Sequence, residues 1–402
     1  MITDPKSWST IAYEECKWES SSGGLIPNRV RRLEKLPYQA AVVPEIANTA
    51  RLDISNESLS VLVEASHEIA RFDDELGIEI APFSAVLLRS ESVASSKIER
   101  LSASAKTISL AELGDPSHRN ANIIVANVAA MRAAINLADR LDTDAILAMH
   151  RALLGNEHPD WAGKWRHEQV WIGGNDFSPH GAAFVPPHHT RVPAAIDDLV
   201  HFISDSDLPP LAVAAIAHAQ FETIHPFPDG NGRVGRAIIH SILKARGLTR
   251  HVTVPVSAGL LVDLDQYFAA LTDYRNGNHE HIVTLVSNAS FHAIANGRTL
   301  SADLRQLRDD WLSKIKARRD AVVWELVDLV LRQPIIDSEL VQRELDIAPH
   351  NANTAIQQLV DIGSLVKISG NYRKRKWSAP LVLEALDSFA PPSVDGLWLQ
   401  SH

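Results

Sequence analysis

The stretch His225-Pro-Phe-Pro-Asp-Gly-Asn-Gly-Arg-Val-Gly-Arg236 gathers a titratable base, a carboxylate, a glycine-rich turn and two guanidiniums. The unperturbed pKa of histidine lies near neutrality, so His225 can take a proton from an alcohol at working pH. Asp229 offers hard oxygens suited to Mg²⁺. Gly230, Asn231 and Gly232 let backbone N–H groups approach phosphate oxygens, and a helix starting there adds its positive dipole end. Arg233 and Arg236, three apart on that helix, share a face and can clamp phosphates through paired hydrogen bonds. Together these are the parts needed to move a phosphate-containing group.

Three common motifs overlap this stretch and fail on context. Gly230-x-Gly232-x-x-Gly235 matches a dinucleotide fingerprint, which requires a preceding strand. The residues before it, Leu211 to Thr223, are alanine-rich and read as a buried helix. The twelfth position from Asp229 is His240, where a calcium-binding EF-hand loop needs glutamate. A Walker A loop needs Gly-Lys-Ser/Thr, which is absent from this stretch.

At every specified position the stretch resembles the Fic-domain signature, His-x-Phe-x-Asp/Glu-Gly-Asn-Gly-Arg-x-x-Arg. The flanks are similar too: Trp161-Ala-Gly-Lys-Trp-Arg166 leading into Gln169-Val-Trp-Ile-Gly-Gly174, then Gln266-Tyr-Phe268 and Asn276-Gly277 downstream. The resemblance covers roughly residues 10–300. It implies an all-α, Fic-type helical core with a small β-hairpin flap, and transfer of AMP from ATP to a protein hydroxyl. His225 would take the proton of a target Tyr, Thr or Ser as it attacks the α-phosphorus, and pyrophosphate would leave. Asp229 would hold Mg²⁺ between the α- and β-phosphates. Gly230–Gly232 and the Asn231 side chain would stabilise the transferring oxygens. Arg233 would contact the β-phosphate and Arg236 the γ-phosphate, with Val234, Gly235, Ile172 and Gly173 completing the nucleotide site. Adenine would lie against Tyr267, Phe268 and Leu271. Phe227 would anchor the loop in the core.

Two further elements carry implied roles. The hairpin around Gly173–Phe184 occupies the position of the family's flap, along which an extended target segment would pair. Ser95-Ser-Lys-Ile-Glu99 resembles the family's inhibitory helix, Ser/Thr-x-x-x-Glu-Gly/Asn. Ser95 and Glu99 share a helix face, and Glu99 would pair with Arg236 and deny the γ-phosphate its seat. Arg100 departs from the Gly/Asn of the pattern. His180, His188 and His189 also fall near the flap, without the carboxylate spacing of a metal site. The same fold with another nucleotide donor, or removal of AMP from targets, are the alternatives within this enzyme class.

The surrounding elements must position these groups. Helical periodicity runs from near Ile54 through Ala70, and a second helix from Phe83 to Ile98. Asn122–Asp139 and Thr143–Leu154 continue the helical pattern, and a short hairpin is expected between Val170 and Val185. Residues 1–50 read as an irregular arm with Leu25-Ile-Pro and Leu36-Pro-Tyr as docking contacts. The last quarter reads as helices over Ala321–Leu331, Ser338–Leu345 and Asn351–Ile362, then two strands around a Ser-Gly-Asn turn, resembling a winged helix-turn-helix. The basic run Arg373-Lys-Arg-Lys376 leaves DNA contact open, and with it a regulator reading in which the core is a sensor. Four segments follow: residues 1–110 with the inhibitory helix, a 111–300 core, a 301–320 linking helix and a 321–390 winged-helix-like unit.

Composition narrows the class. The 402-residue chain is 45% hydrophobic, has no apolar run of membrane-spanning length and begins without a basic, apolar export pattern. Its single cysteine, Cys16, forbids an internal disulfide, and reducing cytosol is the expected compartment. A net charge of −10 argues against bulk nucleic-acid binding. The expected partners are ATP and a target protein, with a homodimer left open.

Overall fold

The computed structural model describes residues 8–18, 36–49, 51–77, 82–175, 177–369 and 375–389. In chain order the elements are β1 (Ala12–Cys16), β2 (Tyr38–Val42), α1 (Asn56–Gly77), α2 (Pro82–Ile98), α3 (Ala105–Glu112), α4 (Arg119–Asn136) and α5 (Thr143–Leu154). Then come α6 (Val192–Asp205), α7 (Pro210–Ile224), α8 (Asn231–Ala245), α9 (Val256–Leu260), α10 (Leu264–Arg275) and α11 (His279–Lys314). The last are α12 (Val323–Arg332), β3 (Ile335–Asp337), α13 (Ser338–Leu345), α14 (Pro349–Asp361), β4 (Val366–Ser369), β5 (Lys376–Ser378) and α15 (Pro380–Phe389).

The molecule is mostly helical, and two helices form its axis. Pro210 starts α7 at the position where a missing N–H costs nothing. Its alanine-rich sequence then lets neighbours approach on every side, and each residue from Leu211 to Ile224 is buried. α8 packs beside it and is buried from Val234 to Leu243. Around this pair lie Phe72 of α1, Ile146 and Met149 of α5, Phe202 of α6 and Val286 of α11, all in one apolar core. α5 begins at a capped turn, where the Asp142 carboxylate accepts from Ala145 N at 2.9 Å.

α11 is the spine of the molecule. Its 36 residues run from the first core into a second one through Leu300, Leu304 and Trp311. Of the segment expected as a separate linking helix, 301–320, residues 301–314 are therefore the end of one continuous helix, and 315–320 follow it outside the helix. Nothing in the sequence between residues 279 and 314 breaks it except Gly297, and that glycine has a packing reason. A Cβ there would lie 2.7 Å from the Phe72 ring.

The second core gathers α12, α13, α14 and α15 with a three-stranded antiparallel sheet ordered β3-β5-β4. β3 was not anticipated: three residues are too short to show a period. Gly363, at φ +79°, ends the turn after α14. Of the basic run, Arg375 and Lys376 are described; Arg373 and Lys374 lie outside the described residues. The second core also takes in Phe83, Val86 and Ala94 of α2. The C-terminal quarter thus packs directly on α2, the helix that ends just before Glu99.

Within the first fifty residues, the described stretches 8–18 and 36–49 are corrected from an irregular arm. β1 and β2 pair antiparallel in the register Ala12 with Val42 through Cys16 with Tyr38. The polar run Tyr-Glu-Glu-Cys hides this strand, because only its partner and Val185, whose carbonyl accepts from Ala41 N at 3.0 Å, complete the ladder. Leu25-Ile-Pro lies outside the described residues; Tyr38 is buried, while Leu36 is exposed. The helix Ala105–Glu112 was also unread. Ser104 caps it by accepting from Thr107 N.

Candidate active site

The signature loop joins the C-terminus of α7 to the N-terminus of α8. His225 ends α7 in the left-handed region, at φ +50°, a conformation that costs a residue with a Cβ about 1–2 kcal/mol. Arg166 holds it there. Its Nε donates to His225 O at 2.8 Å, its Nη1 to Glu168 O at 3.0 Å and its Nη2 to Pro187 O at 2.5 Å. Burial draws the Arg166 pKa down to about 10, which leaves it charged at neutral pH. Its role as a staple was not evident in the sequence, although Trp165-Arg166 stands out as a motif.

The loop's floor is aromatic. Phe227 is buried, with its ring parallel to His150 at 3.6 Å. Gly163 N donates to His150 Nδ1 at 2.8 Å, so the other ring nitrogen, Nε2, carries the proton and donates to Asp229 O at 3.1 Å. Burial lowers the His150 pKa to about 4, keeping the ring neutral. His150 is thus a loop support that sequence reading missed, because it sits 75 residues upstream in an ordinary helix.

Asn231 is corrected. Its Oδ1 accepts from Phe227 N and its Nδ2 donates to Phe227 O, both at 2.9 Å. The side chain is spent closing the loop, and only its backbone N–H is left for an anion. Val234 is corrected as well. Its side chain is in the core, and its N–H is used by Gly230 O at 3.0 Å. Gly235 faces away from the loop, against Glu222, His218 and Phe221. The free donors are therefore those of the first helical turn, beginning at Asn231 after Gly230 at φ +83°.

Four charged groups surround that turn. The Asp229 carboxylate is largely exposed; Oδ1 accepts from Gly230 N at 2.6 Å and Oδ2 lies 3.4 Å from Arg233 Nη2. Arg233 is buried, and its Nε and Nη1 have no hydrogen-bond partner among the described residues. Arg236 is 1% exposed and fully engaged. It donates through Nε to Ser95 Oγ at 2.9 Å, and through Nη2 to Ser95 O and Glu99 Oε1, both at 2.8 Å. Burial works against its charge, but Glu99, Tyr267 and Glu222 outweigh it and hold the guanidinium pKa above its ordinary value. Glu99 itself lies over the start of α8: a Cβ on Gly232 would overlap its Oε1.

Arg100, just after Glu99, has φ +60°. This explains the Gly/Asn preference from which the chain departs, since those residues enter the left-handed region most cheaply. Tyr267 is corrected from an adenine wall. It is buried, and its hydroxyl lies 2.9 Å from His218 Nε2 and 3.4 Å from Arg236 Nη1. Leu271 is buried too, while Phe268 is half exposed. The flap is narrower than a hairpin: Ile172 and Phe184 form one antiparallel bridge, with Ile172 N donating to Phe184 O at 2.8 Å. Gly173 and Gly174, both at positive φ, turn the chain beyond it. His180 bonds Leu36 O at 3.0 Å and His188 bonds Thr190 Oγ1 at 2.9 Å.

Glu222, three residues before His225, also escaped sequence reading. It is 7% exposed, and burial pushes its pKa up to about 7. His225 is pushed down to about 3 by burial and by the nearby Arg166.

Residues 140–243 match the model of the Fic/DOC family. The chain is 32% identical over 155 residues to the protein adenylyltransferase fic-1 of Caenorhabditis elegans, covering 38% of this chain and 28% of that protein. It is 39% identical over 93 residues to a probable protein adenylyltransferase of Aquifex aeolicus, covering 21% and 29%. The matches thus span less than a third of these relatives' own length. In fold, it resembles a Fic family protein from Desulfovibrio desulfuricans with a TM-score of 0.53 at 19% identity, covering 82% of this chain and 98% of that one. The family match contains His225, the start of α8 and both arginines, and on that ground residues 140–243 form a Fic/DOC-family domain.

Proposed function

We propose that this chain is a protein adenylyltransferase that moves AMP from ATP to a Tyr, Thr or Ser hydroxyl, and that Glu99 restrains it. The observation that carries the reading is Arg233, a buried guanidinium with two N–H-bearing nitrogens unmatched among the described residues, beside an open helix start. Leaving such a group unmatched is costly, and an anion such as a polyphosphate would supply its missing acceptors. The relatives' names supply the choice of AMP.

In this reading His225, neutral because burial keeps its pKa near 3, accepts the proton of the attacking hydroxyl. The new bond joins that oxygen to the α-phosphorus, the bond to the β-phosphate oxygen breaks, and pyrophosphate leaves. The N–H groups of the first turn of α8 receive the charge that develops on the α-phosphate oxygens. Arg233 holds the β-phosphate region. Arg236 seats the γ-phosphate once Glu99 has left it. Asp229, an exposed carboxylate of hard oxygens, fits a Mg²⁺ held jointly with phosphates, which needs only one or two protein carboxylates. Bound there, the ion would neutralise phosphate charge. A target segment lies along the flap, where Gly173 and Gly174 are exposed. The expected compartment remains the cytoplasm; no helix among the described residues is long and apolar enough to cross a membrane.

The test is transfer of label from α-labelled ATP to protein, read by mass spectrometry, with labelled UTP and GTP in parallel. AMP on a hydroxyl of a target or of the chain itself supports the reading. Label from another nucleotide alone would move it to a different donor.

A further inference from the structure

The loop chemistry leaves one buried group unused. Glu222 sits on the last turn of α7, directly behind the base. Its carbonyl lies 3.4 Å from His225 Nδ1 and its carboxylate Oε2 3.8 Å from the same atom. The other carboxylate oxygen, Oε1, is buried with no hydrogen-bond partner among the described residues. A glutamate that only filled space here would be a poor choice, because an unmatched buried carboxylate destabilises the fold. The neighbouring helix makes room for it: a Cβ on Gly235 would lie 2.9 Å from Oε1 and 3.0 Å from His218 Nδ1.

We propose that Glu222 is a positioning residue for His225: it holds Nδ1–H toward itself, leaves Nε2 as the base, and stabilises the imidazolium with its negative charge. This deepens the transferase reading and rests on it for the identity of the hydroxyl substrate. Two acceptors on one residue face Nδ1 and none of the described hydrogen bonds engages Nε2. The ring nitrogen that takes the proton is therefore the one turned from α7. A neutral glutamic acid can still fix the ring, but only the carboxylate offsets the charge that arrives with the proton.

The groups around Glu222 also connect it to the inhibitory contact. Facing it are His218 from α7, Arg236 from α8, Tyr267 and Arg275 from α10, and Glu99 from the end of α2. Burial raises the Glu222 pKa to about 7, Arg236 and Arg275 oppose this, and the Glu99 charge raises it further. His225 remains neutral far below that range, at about 3. Ionisation of Glu222, whose pKa lies at about 7, would therefore raise the basicity of His225 as pH rises from 6 to 8. Departure of Glu99 removes a like charge, so the same gain should then appear at lower pH. The residue that blocks Arg236 would also hold the base's counter-charge in its neutral form.

The experiment uses a probe that does not depend on AMP transfer. Diethylpyrocarbonate acylates neutral imidazole: the ring nitrogen forms a bond to the carbonyl carbon, ethyl carbonate leaves, and positive charge develops on the ring. The rate at His225, located by mass spectrometry in the full chain, should rise about tenfold from pH 6 to 8 as the carboxylate ionises. In Glu222→Gln it should be low and flat. In Glu99→Gly the midpoint should move to lower pH. A pH dependence at His225 unchanged by Glu222→Gln overturns the proposal. Should that variant not fold, an unshifted midpoint in Glu99→Gly overturns it instead. In transfer assays, Glu222→Gln should flatten the acid limb of kcat and lower its plateau by roughly 10-fold, less than loss of the base itself, with KM for ATP kept. Absence of any AMP transfer would sink the transferase reading while leaving the acylation result to judge Glu222.

Discussion

At the scale of single residues, Arg236 is a cation that more than one anion can claim. Glu99 holds it now, at 2.8 Å, from a partly exposed position. Glu99→Gly should raise AMP transfer and self-modification about tenfold or more, since about 1.4 kcal/mol of recovered nucleotide binding suffices for one decade. The double variant Glu99→Gly/Arg236→Ala should lose that gain, because the freed arginine is what seats the nucleotide. Initial rates with labelled ATP check both, and a Glu99→Gly rate equal to wild type with normal ATP binding would end the inhibitory reading. His225→Ala should cost ~10²–10⁴-fold in single-turnover transfer while ATP binding stays near normal. Near-normal transfer by that variant would remove His225 from the chemistry.

At the scale of elements, the α7–α8 loop and the end of α2 are both built on positive-φ turns. Asn231 closes the first by matching both polar groups of the buried Phe227 peptide. Asn231→Ala should therefore destabilise the chain by about 1–3 kcal/mol, the cost of leaving buried backbone groups unmatched. Urea unfolding would measure it, and a change below the error of the method would contradict the clasp. Arg100 closes the second turn at φ +60°. Arg100→Gly should relieve strain and stabilise the end of α2 by about 1 kcal/mol. Self-modification should then fall below the wild-type level, because Glu99 is held more firmly; a rise would show that the strained turn helps retain it.

At the scale of the whole molecule, the C-terminal quarter packs on the helix that leads into Glu99. Phe83, Val86 and Ala94 of α2 share a core with Leu326, Val327 and Val330 of α12. Arg89 of α2 donates to Ser109 Oγ of α3 at 2.7 Å, and Asp387 of α15 accepts from Ala105 N at 2.7 Å. The chemistry lies wholly upstream of Ala321, which by itself would leave truncation without consequence. The packing says otherwise. Removing residues 323–402 should loosen α2, weaken amide protection across residues 83–98 and raise self-modification several-fold, in hydrogen exchange and labelled-ATP assays respectively. Full protection of α2 in the truncated chain would disprove the coupling.

What the sequence determined by itself was the chemistry packed into one turn and the periodicity of long helices. Thr143–Leu154 and Ser338–Leu345 are legible because their apolar spacing and capping residues are local. The signature loop is legible because phosphate handling demands glycine, carboxylate and arginine at fixed short spacings. Tertiary structure alone decided the rest. β1 shows no strand pattern of its own and exists through pairing with β2. His150, Arg166 and Glu222 sit in unremarkable local contexts, and only close packing brings them against the loop. Asn231 and Tyr267 were assigned to the ligand because residue type shows what a side chain can bond, whereas burial decides which partner already has it. The helix ending at Glu99 carried its motif in plain view, but its grip on Arg236 depends on residues more than a hundred positions away.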